Sequence, residues 1–199
     1  MNKVQDNYQK LVAAIKNGAV GVLPTDTLYG LVGSAFSEEA VAKIYRLKER
    51  DAKKPLIILI SSLNDLKKFE IKLNKKTETL LKNIWPGKVS VILPVRSKKV
   101  AYLHRGTKSL AFRLPKKDSL LELLKKTGPL VAPSANREGE KPAGNVKKAR
   151  QYFGEKVAFY VDGGALRSKP STLVAIEKGQ VIIKREGAIG KSKIQNIKS

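Results

Sequence analysis

Four short polar segments follow or precede apolar stretches of the sequence, and they carry residue types that could bind a ligand or catalyse a reaction. They lie at residues 24–30, 48–50, 133–136 and 171–172. In α/β proteins the loops at strand ends commonly hold ligands. We therefore interpret these segments as candidate site loops, and Arg113 and Arg185 as candidate site residues at the ends of predicted strands.

The first and second segments each allow two interpretations. Thr25, Asp26 and Thr27 offer hydroxyls and a carboxylate to a small polar molecule, but the pattern alone favours a turn whose side chains bind their own backbone. Lys48 and Arg50 stand at a predicted helix end, where cations complement the helix dipole. The same pair could clamp a polyphosphate and stabilise a transferring phosphoryl group.

Two further segments are similarly ambiguous. Ser134 and Asn136 supply donors and acceptors suited to phosphate, ribose or a base edge, although an Asn-based turn would need the same residues. The glycines of residues 162–164 allow either close ligand approach or a hairpin turn.

Composition and motif spacing exclude several kinds of chemistry. The chain has no cysteine and one histidine, His104, so thiolate catalysis and Cys-based zinc sites are excluded and a histidine relay is disfavoured. Residues 190–192 resemble the end of a phosphate-binding loop, but Arg185 stands where that motif requires glycine. No dinucleotide glycine motif occurs, and Ser134 lacks the glycines of a nucleophile elbow.

The 199 residues suit one domain, and their net charge is +23. Such a field attracts polyanions, although a lysine-rich surface can also reflect general composition. No apolar run approaches the roughly 20 residues that span a bilayer, and the N-terminus lacks the apolar core of a signal peptide. We expect no membrane contact and a cytoplasmic location.

Periodicity predicts alternating helices and strands that would position these loops. Helices are predicted over 4–17, 37–48, 75–84, 118–128 and 145–153, with N-caps at Ser37, Asp118 and Asn145 and a capping box from Ser62 to Asp65. Strands are predicted over 19–23, 55–60, 89–93, 109–113, 130–132, 157–161, 172–176 and 181–183. This order predicts one α/β domain with a mixed sheet.

Taken in order, the segments resemble the YrdC family of L-threonylcarbamoyladenylate synthases. The matching pieces are Pro-Thr-Asp-Thr-Leu-Tyr-Gly-Leu at 24–31, Lys48 and Arg50 before Pro55-Leu56, Pro86-Gly87, Arg-Leu-Pro at 113–115, Ser-Ala-Asn at 134–136, Asp-Gly-Gly at 162–164, Ser171-Thr172 and Arg-Glu-Gly at 185–187. Each piece is weakly specific, but the ordered set is highly specific and covers roughly residues 8–190.

The resemblance implies a YrdC-like twisted mixed β-sheet with flanking helices around an open electropositive cavity, over residues 1–190, followed by a basic tail at 191–199. It implies a nucleotidyltransferase that forms threonylcarbamoyl-AMP and pyrophosphate from L-threonine, bicarbonate and ATP. Other proteins, the tRNA-modifying transferase proteins, would then pass the threonylcarbamoyl group to an adenosine beside the anticodon of tRNA. Mg2+ is expected with ATP, and no tightly bound metal is expected.

The resemblance also implies roles for particular residues. Threonine would be held by Thr27, Arg113 and Ser171. ATP would be held by Arg50, Ser109, Asn136 and Arg185. The catalytic set would be Lys48, Arg50, Ser134 and Asn136, with Lys48 as the phosphate clamp.

The sequence departs from the family pattern at several positions. Glu49 and Asp51 replace the usual Gly and Pro around Arg50, and these acids lower the positive charge there unless they point away or help to bind Mg2+. In addition, Leu59 replaces a threonine-site His, Gly144 replaces a Thr or Ser, and Lys88 replaces a second Pro.

Two alternatives remain open at this point. A catalytically inactive YrdC-fold protein could bind RNA, and the positive charge favours some nonspecific RNA binding. However, only 6% of residues are aromatic and no RNA-binding motif occurs, while a pure RNA binder would not require Lys48, Arg50, Ser134 and Asn136 together. A related carbamoyl-adenylate enzyme with another acceptor is the second alternative.

Overall fold

The computed structural model describes residues 3–51, 53–177 and 180–195. The helices are α1 (Lys3–Lys16), α2 (Glu38–Lys48), α3 (Lys75–Ile84), α4 (Ala101–His104), α5 (Asp118–Thr127), α6 (Val146–Phe153) and α7 (Lys191–Gln195). The strands are β1 (Gly21–Pro24), β2 (Tyr29–Ser34), β3 (Ile57–Leu59), β4 (Val89–Pro94), β5 (Ser109–Arg113), β6 (Leu130–Val131), β7 (Phe159–Tyr160), β8 (Thr172–Glu177) and β9 (Gln180–Arg185). Short 3-10 helices span Leu63–Phe69, Lys98–Val100 and Gly154–Lys156.

The strands form one sheet in the order β7-β1-β2-β6-β3-β5-β4-β8-β9. Strand pairs β1–β7, β3–β5 and β4–β8 are parallel, and the other neighbouring pairs are antiparallel. The predicted α/β fold with a mixed sheet and flanking helices is therefore confirmed.

Apolar residues on both faces of the sheet build the core. Neighbouring residues Leu31 and Val32 of β2 belong to two different buried clusters, as expected for a strand whose side chains alternate between faces. Helices α1 and α5 pack on one face, where Ile15 and Leu124 join the same cluster as Val32. Helix α2 packs on the other face, and a Cβ on Gly33 would lie 3.1 Å from the Cβ of Ala40. This close approach sets the position of α2 and of the loop that follows it.

Most of the predicted helix starts are confirmed. Ser37 accepts a hydrogen bond from the Ala40 N–H, and Asn145 accepts one from the Lys148 N–H. The capping box at Ser62 is present, with Asp65 accepting from the Ser62 N–H. The predicted cap at Asp118 is wrong, because α5 begins at Asp118 itself and its charge lies in the first helical turn.

Three further differences separate the sequence prediction from the structure. Strand β2 was not predicted, because residues 24–30 were interpreted as a loop; that loop is in fact four residues long, and Tyr29 begins a buried strand. The predicted basic loop after β4 contains α4, which buries Leu103. The third difference concerns the tail, for which the sequence allows either fraying or a short helix: the short helix α7 is present, and it buries Ile194 against the main core. The boundary at residue 190 stays a prediction, and residues 196–199 lie outside the described residues.

None of the helices among residues 3–51, 53–177 and 180–195 is long and apolar enough to cross a membrane.

The C-terminal end of α2 determines where Lys48 and Arg50 lie. Glu49 adopts the left-handed conformation with φ 52° and ψ 39°, and its N–H closes the helix on the Arg46 carbonyl oxygen. A residue with a Cβ is strained in this conformation, which is why glycine is common there. The family's usual glycine at this position therefore has a local structural reason, and Glu49 keeps the same turn at an energetic cost.

We predict that Glu49→Gly raises the free energy of unfolding by about 0.5–1 kcal/mol, because it removes left-handed strain. The ion pair from Glu49 to Arg137 is 3.6 Å long and exposed, so losing it costs little. Urea unfolding measures the change. Glu49→Ala is the matched control, because it also loses the ion pair but keeps the strain; equal stability of the two variants would contradict the prediction.

Candidate active site

The candidate loops meet at a cavity of about 180 Å³. The predicted site residues that line it are Thr27, Lys48, Arg50, Arg113, Ser134, Ser171 and Arg185. Ser109 and Asn136 are not among its lining residues. Segments far apart in the sequence thus share one site.

Strand β2 positions the loop that contains Ser134 and Asn136. The Leu31 N–H donates to the Pro133 carbonyl, and the Ala135 N–H donates to the Tyr29 carbonyl, at 2.9 and 2.8 Å. These bonds extend the antiparallel pairing of β2 and β6 beyond the end of β6. The strand that was missed in the sequence therefore holds one wall of the cavity.

Lys48 is a buried cation whose ammonium group binds this same loop. Its Nζ donates to the carbonyl oxygens of Ser134 and Asn136 at 2.6 and 2.7 Å, and it lies 3.4 Å from Asn136 Oδ1. An ammonium has three donors, and these three oxygens account for them. The geometry favours Lys48 as an anchor of the Ser134 loop and as a source of charge, rather than as a direct phosphate clamp.

Asn136 stabilises its own loop rather than facing the cavity. Its Oδ1 accepts from Ser134 Oγ at 2.6 Å, and its Nδ2 donates to the carbonyls of Arg137 and Glu140 at 2.6 and 2.9 Å. Ser134 is thereby held at the cavity wall. The predicted contact between Asn136 and ATP stays a prediction, and the loop geometry gives Asn136 a positioning role.

Arg50 and Arg185 are also held by neutral oxygens. Arg50 donates through Nε to the Lys54 carbonyl at 3.1 Å and through Nη2 to the Pro55 carbonyl at 3.3 Å. Arg185 donates to the Ser171 carbonyl at 3.0 Å. Burial first, and then the charge of Arg50, lowers the pKa of Arg185.

Arg113 is a deeply buried cation of the cavity, at 4% exposure, beside Lys48 at 2%. It donates to Thr27 Oγ1 at 2.9 Å and forms an ion pair with Asp26 Oδ1 at 3.0 Å. Its Nε–H has no hydrogen-bond partner among the residues that the structure describes. Burial lowers the pKa of Arg113, while Asp26 acts in the opposite direction. Arg113 thus keeps donors available for a bound anion.

The hydroxyl groups of the first loop make two kinds of contact, and their predicted role in binding a ligand stays a prediction. Thr25 Oγ1 bonds to the backbone of residues 27 and 28, as the turn interpretation requires, whereas Thr27 contacts Arg113. Ser171 Oγ lies 2.8 Å from Ser90 Oγ. Sequence reasoning missed Ser90, whose single signal was a polar residue inside an apolar strand.

The glycine segments fasten the cavity edges rather than forming hairpin turns. Tyr29 Oη accepts from the Gly163 N–H and donates to the Gly164 carbonyl, both at 2.8 Å. A Cβ on Gly163 would lie 2.5 Å from Pro24 Cγ. A Cβ on Gly187 would lie 2.3 Å from the Pro170 carbonyl oxygen, so the chain after Arg185 must pack directly on the segment that contains Ser171.

Other predicted positions lie away from the cavity lining. Ser109 begins β5 beside Pro94, at the opposite end of the strand from Arg113, so its predicted role in ATP binding stays a prediction. Leu59 is fully buried in the core. Gly144 accepts from the Leu166 N–H, and a Cβ there would lie 3.3 Å from the Leu166 carbonyl oxygen.

The electrostatics of the cavity follow from these contacts. Among the described contacts of the four cavity cations, those of Lys48, Arg50 and Arg185 are hydrogen bonds to carbonyl or amide oxygens. Of these four, Arg113 alone pairs with a carboxylate. Carbonyl oxygens hold a cation in place without cancelling its charge. The described residues include no group of three His, Cys, Asp or Glu side chains that could hold a metal ion. The cavity is therefore suited to anionic ligands.

An α/β domain with a cationic cavity built in this way has known relatives. The family model for Sua5, YciO and YrdC, described as telomere recombination, matches residues 13–187. The threonylcarbamoyl-AMP synthase of Pyrococcus abyssi is 30% identical over 185 residues, which are 92% of this chain and 54% of that protein. The threonylcarbamoyl-AMP synthase of Chromohalobacter salexigens is 30% identical over 183 residues, which are 92% of this chain and 99% of that protein.

Solved structures of Sua5 and YciO also align with this chain. P. abyssi Sua5 complexed with L-threonine aligns with a TM-score of 0.89 and 29% identity over 97% of this chain and 57% of that chain. E. coli YciO aligns with a TM-score of 0.84 at 23% identity, over 96% of this chain and 93% of that chain, which shows the shared fold. The chain belongs to the Sua5/YciO/YrdC family, and it spans about half the length of the P. abyssi relative.

We predict that Asp26→Ala lowers the free energy of unfolding by about 3 kcal/mol, because it leaves the buried Arg113 without its countercharge. Urea unfolding measures the loss. Asp118→Ala is the control, because Asp118 is exposed and contributes only a helix-end interaction of under about 1 kcal/mol. Equal losses in the two variants would contradict the prediction.

The pH dependence of stability tests the burial of Lys48. Burial first, and then Arg50, lowers the pKa of Lys48 from 10.5 to about 8. Between these values the unfolded chain binds more protons than the folded one, so stability must rise with pH. Relative to Lys48→Met, the free energy of unfolding of the unmodified chain should be constant below pH 8 and should gain up to about 3 kcal/mol by pH 10.5. A flat difference over that range would show that Lys48 is not desolvated.

Proposed function

We propose that this chain is an L-threonylcarbamoyladenylate synthase, which forms threonylcarbamoyl-AMP and pyrophosphate from L-threonine, bicarbonate and ATP. The observation that carries the proposal is a shared cavity whose cations are held mainly by neutral oxygens. Such a cavity attracts two anions at once, which this reaction requires. The P. abyssi relative complexed with L-threonine supports the choice of amino acid.

The proposed chemistry needs positioning more than a covalent nucleophile. The amine of threonine adds to bicarbonate and gives a carbamate with loss of water. A carbamate oxygen then attacks the α-phosphorus of ATP, the bond to the β-phosphate oxygen breaks, and pyrophosphate leaves. Fixed positive charge stabilises the additional negative charge on the oxygens during this transfer.

We assign the residues of the cavity to these two ligands. Arg113, with its free donors, pairs with the carboxylate of threonine, and the hydroxyls of Thr27 and Ser171 lie beside it. Arg50 and Arg185 face the phosphates of ATP, with Ser134 at the same wall. Lys48 contributes charge and anchors the Ser134 loop. Mg2+ would enter bound to ATP.

The product would be consumed by tRNA-modifying transferase proteins that pass the threonylcarbamoyl group to tRNA. This part of the proposal rests on the family and places the reaction in the cytoplasm. Nonspecific RNA binding through the net charge of +23 is compatible with it, because such binding needs no dedicated site.

A pyrophosphate-release assay tests the proposal by omitting threonine, bicarbonate or ATP in turn. We expect release only when all three are present, and a loss of about 100-fold or more in Arg50→Ala because a charge facing the phosphates is removed. Arg96→Ala, on the exposed connection after β4, is the control and should keep full activity.

Three results would contradict the proposal or a part of it. Pyrophosphate release that does not depend on threonine, or that is faster with another amine, would indicate a different acceptor. Near-normal release by Arg50→Ala would remove the role assigned to that residue, and no release under any condition would favour the inactive RNA-binding alternative.

A further inference from the structure

The segment 49–55 places Arg50 at the cavity, and its described residues are not held by helix or strand hydrogen bonds. It runs from the end of α2 to just before β3, and its described residues form no helix or strand. Both hydrogen bonds of the Arg50 guanidinium go to carbonyls of this same segment, at Lys54 and Pro55. The direction of the guanidinium therefore depends on the shape of the segment.

Glu138, in the loop that follows Asn136, contacts this segment at two points and the last residue of α2 at a third. Its Oε2 accepts from the Asp51 N–H and its Oε1 accepts from Lys54 Nζ, both at 2.7 Å. Its own N–H donates to the Lys48 carbonyl at 2.7 Å. One carboxylate thus spans the turn that the Lys54 N–H closes on the Asp51 carbonyl at 3.1 Å.

The carboxylate is well suited to this contact. The hydrogen bond from Lys54 first, and then that from the Asp51 N–H, lowers the pKa of Glu138, so it is charged at neutral pH. Charge-assisted hydrogen bonds are shorter and stronger than neutral ones. The two acids of the segment itself make different contacts: Asp51 Oδ1 accepts from the Lys53 N–H, and Glu49 pairs with Arg137.

The contact with Glu138 requires a residue with a backbone N–H at position 51. A proline there would fix its own φ and would have no N–H. Asp51 has a freer backbone and an N–H, and that N–H is the group that Glu138 binds. An interaction with a neighbouring loop can therefore replace the stiffness that proline supplies within the segment.

We propose that Glu138 is a positioning residue, which fixes the segment 49–55 so that Arg50 stays directed into the cavity. The role of Arg50 towards ATP rests on the proposed function. The tether itself does not, because it is a contact between two loops that can be measured without any substrate.

The kinetic test compares Glu138→Ala with the unmodified chain in the pyrophosphate-release assay. We expect the KM for ATP to rise about tenfold, because a mobile Arg50 binds phosphate less well, with the KM for threonine unchanged. Glu122→Gln is the control, because it removes an exposed carboxylate that also binds a lysine at 2.7 Å, but on α5. It should leave both KM values unchanged.

A second substitution separates positioning from general damage. Asp51→Pro introduces a fixed φ and removes the N–H that Glu138 binds. In the Glu138→Ala background it should return the KM for ATP to within about twofold of the original value, since proline supplies the missing stiffness. Loss of general stability would not be repaired in this way.

Amide hydrogen exchange tests the tether independently of catalysis. Exchange at Asp51 should become about tenfold faster or more in Glu138→Ala, while exchange in the strands stays the same. Unchanged exchange at Asp51 would overturn the tether even if the chain proves to have another function. In an active enzyme, an unchanged KM for ATP, or a rise that Asp51→Pro does not reverse, would overturn the positioning of Arg50.

Discussion

The structure of the cavity depends on cations that are held by neutral oxygens. A buried or half-buried cation needs hydrogen-bond acceptors, and a carboxylate would be the strongest of them, but it would also cancel the charge. Lys48, Arg50 and Arg185 instead bind backbone carbonyls. The folded chain thereby keeps its cations ordered and still attractive to an anion, at the cost of bringing like charges together. The pKa of Lys48 is lowered first by burial, and the like charge of Arg50 lowers it further.

Arg113 is stabilised differently, by a carboxylate as well as by a neutral oxygen. It is about as deeply buried as Lys48, but of the four cations it alone pairs with a carboxylate, that of Asp26. Burial of an unpaired guanidinium is costly, and the charge of Asp26 offsets that cost for Arg113. Lys48 is instead stabilised by the three oxygens around its ammonium group, and Arg50 is only half-buried. The cavity therefore has one partly neutralised cation and several uncompensated ones. This gradient suits a small zwitterion beside Arg113 and a polyphosphate beside Arg50 and Arg185.

The sequence allowed much of the fold and many of the cavity residues to be predicted, and the exceptions have physical causes. Helix starts at Ser37 and Asn145 were predictable because capping is a local interaction. Strand β2 was not, because Tyr29 and Gly30 follow a polar turn and contain no alternating pattern; its pairing with β1 and β6 is a long-range property. Asn136 stands out in the sequence as a polar residue after a short strand, but whether its amide faces a ligand or its own loop depends on packing that no local pattern encodes.

The same reasoning explains why the informative segments are short and widely separated along the chain. Each one supplies what another needs: residues 134 and 136 give carbonyls to Lys48, residue 171 gives one to Arg185, and Tyr29 fastens residues 163 and 164. A single segment has little meaning alone, because its acceptors or donors lie in the others. The sheet order β2-β6-β3-β5-β4-β8 brings those segments together at one cavity. The order of the segments along the chain is therefore specific to this fold. The contact of Glu138 with Asp51 extends this dependence to residues outside the recognisable segments, because the backbone N–H of one loop finds its acceptor in the other.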